Sequence, residues 1–149
     1  MSSLLQLNRT NNHFSFSKED KVVADFKLNI HSSTFRLNAA TKRLFFIESS
    51  GLLQNKTVLK TEYGVEIGEW ITLRSIKNGF IKLNDQRLDY QIIGQQFRIT
   101  NKKQIIVVCD FSNLKELEKL ELAAILFSIA WLINETVEEK AATKTVIVK

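Results

Sequence analysis

Between residues 14 and 109 the chain is a succession of short runs rich in Val, Ile, Leu, Phe and Thr, broken roughly every ten residues by Asn, Ser, Gly and Asp. That spacing predicts antiparallel strands. In residues 22–30, Ala24, Phe26, Leu28 and Ile30 alternate with Asp25, Lys27 and Asn29, so one face is buried and the other wet. This run pairs with residues 34–37 across His31, Ser32 and Ser33. Further strands are expected at 43–48, at 52–61 with an irregularity at 54–56, and at 70–77, 80–83, 86–93, 96–100 and 104–109. Asn78 and Gly79 form the strongest local hairpin signal, because a two-residue type I′ turn needs positive φ at both central positions. Gly94 and the cluster Asn101, Lys102, Lys103 mark later turns. Ten or more strands in a flat open sheet would leave bare edges and an uncovered face, so closure into a barrel or folding into a sandwich follows.

After Asp110 the pattern changes. Residues 114–134 are rich in Leu, Glu, Lys and Ala, contain no Gly, and follow Ser112 and Asn113, either of which suits an N-cap. A helix is predicted there. Leu114, Leu117 and Leu120 stand among Lys115, Glu116, Glu118, Lys119 and Glu121, but residues 122–133, LAAILFSIAWLI, carry no charge on any side. A helix apolar all round must be surrounded by lipid or by protein. Twelve residues span about 18 Å, short of the ~30 Å hydrocarbon layer, and lengthening the segment N-terminally brings in charges costing about 3 kcal/mol each at a bilayer centre. The helix is therefore expected inside its own sheet, not across a membrane. Ser128 would bond back to a carbonyl one turn earlier, and the Trp131 indole would need an acceptor.

Composition narrows the class. The chain has 149 residues with 44% hydrophobic and 25% charged, 5 Gly, no Pro and one Cys, which excludes collagenous, disordered and disulfide-stapled designs. Two His and one Cys are a poor metal inventory, so no metal or other cofactor is expected. The start MSSLLQLNRTNN has neither a basic region nor an apolar run of signal-peptide length, which predicts a cytoplasmic protein. Residues 1–113 hold 16 basic and 10 acidic groups, against 5 and 6 in 114–149.

No catalytic constellation stands out. His13 and His31 lack a marked nucleophile and read as surface or turn histidines. Cys109 follows apolar strand residues and reads as an inert buried thiol. Asp85, Asp89, Glu62, Glu66 and Glu69 have the scatter of solvated strand ends, and Gly64 and Gly68 mark bends or bulges rather than a phosphate loop. The most concrete ligand expectation is an anion site around the Asn78 hairpin, formed by Arg74, Lys77, Lys82 and Arg87, with Arg74 near Lys82 across the ladder and Lys102 and Lys103 joining from a second turn. Nucleic acid is disfavoured, because exposed aromatic residues are not interleaved with these bases.

A last strand ending in IIVVCD, followed by the apolar helix and its polar continuation in LAAILFSIAWLINETVEE, resembles the tubby C-terminal-like superfamily, which includes the LURP-one-related proteins and phospholipid scramblases. The resemblance implies a closed antiparallel β-barrel of about 12 strands around a central hydrophobic C-terminal helix. In this chain that gives one domain over 1–149, with strands over about 4–110, the helix over about 114–134, and a tail or extra strand at 143–149, where TVIV stands. Tubby domains bind phosphoinositides through basic side chains, one pair at Lys-x-Arg spacing, and that spacing is absent here. Scramblase features rest on Cys-rich and Pro-rich segments, and with one Cys and no Pro none of them carries over. The resulting expectation is a non-enzymatic binding or scaffold module with an unassigned protein or lipid partner. A peripheral phosphoinositide or anionic-lipid binder is the first alternative, and an enzyme with a site at a barrel mouth, using His13 or His31, is the second.

Overall fold

The computed structural model describes residues 3–50, 55–112 and 116–148, with side chains described as far as Glu135 except at Ser50. The start of the 52–61 strand, residue 54 of its expected irregularity and the proposed cap at Asn113 fall outside those residues. Eleven strands form one closed barrel: β1 (Ser3–Thr10), β2 (His13–Lys18), β3 (Lys21–Asn29), β4 (Thr34–Asn38), β5 (Lys42–Ser50), β6 (Lys56–Thr61), β7 (Glu66–Thr72), β8 (Asn78–Leu83), β9 (Gln86–Ile93), β10 (Gln96–Asn101) and β11 (Gln104–Asp110). Each strand pairs antiparallel with the next in sequence, and β1 closes the cylinder on β11. An odd number of up-and-down strands leaves the first and last pointing the same way. The closing pair is accordingly parallel, with Leu5 opposite Cys109, so the barrel is mixed where an antiparallel one was expected, while its eleven strands agree with the expected number of about 12.

Period-two alternation builds the interior. Phe14 and Phe16, Phe26 and Leu28, Phe35 and Leu37, Trp70, Ile81 and Leu83, Leu88 and Tyr90, and Phe97 and Ile99 all face inward and are buried. Neighbouring strands bring their rings into contact: Phe14 stacks on Phe26 at 4.8 Å between centroids, Phe26 meets Phe35 edge-on at 5.6 Å, and Phe35 meets Phe45 at a tilt at 5.2 Å. Ile30 departs from the expected face and is exposed in the β3–β4 turn.

The helix α1 (Lys119–Val148) fills the cylinder. Eleven strands about 4.8 Å apart and tilted by about 40° close at a radius of about 11 Å, and inward side chains leave a bore of about 10 Å, the width of one helix. The sequence meets that geometry, because all residues of 121–130 are buried, with Ala124, Ile125, Leu126, Phe127 and Ser128 at 0% exposure. The helix is sheathed by the chain's own sheet, as its missing polar face requires. Among the described residues no helix is long and apolar enough to cross a membrane.

Three local expectations are corrected. Asn78 and Gly79 are not a turn; they open β8, and residues 73–77 make the connection. A Cβ on Gly79 would lie 2.1 Å from the Ile71 carbonyl oxygen, so the glycine serves close strand approach, not turn conformation. The type I′ positions are instead Glu19–Asp20, Asn84–Asp85 and Lys102–Lys103, each pair with both φ values positive. The helix begins at Lys119, because Glu118 is its cap: the Glu118 carbonyl accepts the Leu122 N–H, and Glu121 Oε1 reaches back to the Glu118 N–H at 2.9 Å. Finally, residues 143–148 are helical instead of forming an extra strand. The stretch 134–142 has no Gly or Pro and is rich in Glu, Lys and Ala, so nothing stops the helix after Ile133.

Candidate functional site

Strand direction sorts the loops into two ends. We call the end carrying the β1–β2 turn upper; the β3–β4, β7–β8 and β9–β10 connections share it, while the β2–β3, β4–β5, β6–β7, β8–β9 and β10–β11 connections are lower. Since β11 finishes at the upper end, the helix enters there. Its first turn is tied to the rim by an ion pair between Arg9, near the end of β1, and Glu121, whose side chain is 4% exposed. The Arg9 guanidinium also lies 5.0 Å from the Phe14 ring centroid. Arg9, Ile30, Glu116, Glu118 and Glu121 line a shallow polar recess around this ion pair.

The lower mouth differs in chemistry. Where the helix leaves, a cleft of about 540 Å³ opens between its face and the wall. Leu5, Val107, Ile129, Leu132 and Ile133 supply apolar lining, and Lys18, Gln86, Asn101 and Glu135 supply polar groups. Three irregularities in strand register also fall toward this end, at Phe16/Ser17, Leu59/Lys60 and Ile99/Thr100. Bulges of this kind twist a strand and widen a barrel rim, and they recur beside binding sites. The one at Leu59/Lys60 lies opposite Gly68, in keeping with the bulge expected there.

Buried polar atoms on the helix lack partners near this mouth. Ser128 Oγ makes no hydrogen bond, nor does Trp131 Nε1, so neither the back-bond nor the indole acceptor expected of them is formed. Trp131 instead sets its ring edge against Phe45 at 5.1 Å and lies under Arg43 at 5.2 Å. Glu135 Oε1, one turn further on, is likewise buried and unpartnered. By contrast Trp70 Nε1 donates to Tyr90 Oη at 2.9 Å, and that hydroxyl donates to the Ile76 carbonyl at 2.8 Å. Burial pushes the Tyr90 phenol up to about 12, against the smaller opposing effect of the Trp70 bond, so it stays a neutral structural group.

The six basic residues of the expected anion site do not come together. Arg74 and Lys77 lie in the β7–β8 connection at the upper end, whereas Lys102 and Lys103 form the tip of the β10–β11 turn at the lower end. Arg74 is not across the ladder from Lys82, which faces Glu69 on β7 and Arg87 on β9. Lys82 and Arg87 flank Phe80 on the outer wall, with the guanidinium 3.9 Å from the ring centroid, and Arg87 pairs with Asp89 at 3.2 Å. All six are exposed. Lys102 and Lys103 hold left-handed backbone at φ 51° and 68°, a conformation that side chains with a Cβ avoid at a cost of about 1–2 kcal/mol.

Other candidates resolve simply. His13 Nε2 lies 3.2 Å from Asp25 Oδ1 on the outer wall, while His31 is exposed, and neither lines any of the clefts described here. Cys109 is fully buried, and burial, reinforced by the charge of Asp110, pushes its thiol up to about 12. Among the described residues no group of three or more His, Cys, Asp or Glu could hold a metal ion. Sequence reasoning missed the lower cleft, because its lining comes from both ends of the chain and Glu135 reads there as the first acid of a polar tail. Comparison with protein-family models, with curated proteins and with solved structures yields no match for this chain.

Proposed function

We propose that the protein is a non-enzymatic binding module that takes an apolar ligand at the lower mouth, where the helix leaves the barrel. The observation that carries this reading is the cleft of about 540 Å³ walled by Leu5, Val107, Ile129, Leu132 and Ile133. A volume in that range and a mostly apolar lining with a few polar groups are what small-molecule sites share. The kinship with tubby-like barrels is part of the proposal and draws on the common plan of a closed cylinder threaded by an apolar helix. Anionic-lipid binding has weaker support, since Arg87 is already paired with Asp89, and Arg74 and Lys77 lie at the opposite end of the barrel from Lys102 and Lys103. N-phenyl-1-naphthylamine, a neutral probe that brightens in apolar surroundings, is expected to bind the folded protein saturably at one site. Leu132→Trp, which sets a larger ring into the cleft beside Ile129 and Ile133, should weaken that binding without unfolding the barrel. No saturable signal, or unchanged binding by Leu132→Trp, would contradict the reading.

A further inference from the structure

Three features of the lower mouth combine into a statement about ligand chemistry. The cleft is apolar over most of its wall, and among the described residues Glu135 is the one acidic residue lining it. Glu135 Oε1 is shielded from water and has no hydrogen-bond donor. A desolvated carboxylate oxygen left unpaired is costly, and it is relieved most by a charged N–H donor, whose bond to a carboxylate is about twice as strong as a neutral one. Lys18 also lines the cleft, but its side chain is exposed at the rim, where water screens it, and it forms no ion pair with Glu135.

We infer that the cleft is a site for an amphiphilic amine: an aliphatic or aromatic body seated against Ile129, Leu132 and Ile133, with its ammonium group paired with the Glu135 carboxylate. The inference rests on the lower mouth being the binding site. The carboxylate is on the helix just beyond the fully buried segment 121–130, where residues 131–135 are half-buried. Gln86 and Asn101, at the lower ends of β9 and β10, also line the cleft and carry carboxamide oxygens able to accept from the remaining ammonium protons.

The test uses the full chain, with octylamine, 1-octanol and octanoate as probes below their aggregation limits. Binding is followed at pH 7 through the methyl resonances of Leu5, Ile129, Leu132 and Ile133. Octylamine should saturate at one equivalent and bind at least tenfold more tightly than 1-octanol. Glu135→Gln should erase that preference by weakening octylamine to the affinity of 1-octanol, without lowering the melting temperature. Equal affinity for the amine and the alcohol, or a preference that survives Glu135→Gln, would overturn the amine inference and leave the apolar-cleft reading standing. Octanoate binding more tightly than octylamine would also overturn it, by making Lys18 the selecting group. Saturable binding of none of the three would overturn both.

Discussion

Arg9→Met should lower folding stability by about 3–5 kcal/mol, because it leaves the carboxylate of Glu121 enclosed at the top of the barrel without its counter-charge. Glu121 is 3% exposed, so it cannot turn to water, and it is tied to the Glu118 N–H through its other oxygen. The two roles are separable. In Arg9→Met/Glu121→Leu the buried charge is gone, and most of the loss should return, leaving only the helix-cap contribution of about 1 kcal/mol. Urea denaturation of the four proteins in the cycle measures this directly. A single-variant loss under about 1 kcal/mol, or additivity of the two substitutions, would mean that the ion pair is not what fastens the helix to the rim.

Phe127→Ala should cost a similar amount, about 3–5 kcal/mol, with Phe127→Leu costing less than about 1.5 kcal/mol. Phe127 is at 0% exposure in the middle of the sheathed segment. Truncating a core residue costs least where the surroundings can collapse into the gap. Here they cannot do so easily, because the wall is a hydrogen-bonded ring whose circumference is set by the number of strands and their stagger. The void should persist, and the loss should sit near the top of the usual range. Equilibrium unfolding at unchanged m-value is the check. A loss near that of an ordinary surface substitution would indicate a helix that is loosely held and free to shift along the bore.

Those two residues also show what could be read in advance. Phe127 lies in a run with no polar side, and that alone places it inside something, since a barrel wall surrounds a helix on every face. The strands were legible for the same reason, as in Ala24, Phe26 and Leu28, where alternation reports the pleat. Glu121 reads as one more charge on an amphipathic turn, and nothing local says that Arg9, brought alongside by barrel closure, will meet it. Asn78–Gly79 misleads because glycine has two uses, and here the need is space beside the Ile71 carbonyl. Of the true type I′ turns, Asn84–Asp85 carries residues that tolerate positive φ, whereas Glu19 and the pair Lys102–Lys103 lack that signature. The scatter of the six bases was equally out of reach, because which end of a barrel a turn occupies depends on the parity of the strands before it. The cleft at the lower mouth draws on β1, β2, β3, β9, β10, β11 and the helix, and only closure of the cylinder brings them round one opening.

The enclosure of the helix is tested most directly by thiol accessibility around one full turn. In a Cys109→Ala background, single cysteines at Ala123, Ala124, Ile125 and Leu126 step by about 100° each and sample every side of the helix. All four should resist a water-soluble thiol reagent, reacting only as fast as the protein unfolds globally. Rapid labelling at one position with protection at the others would describe a helix lying against the outside of a sheet, and would contradict the account.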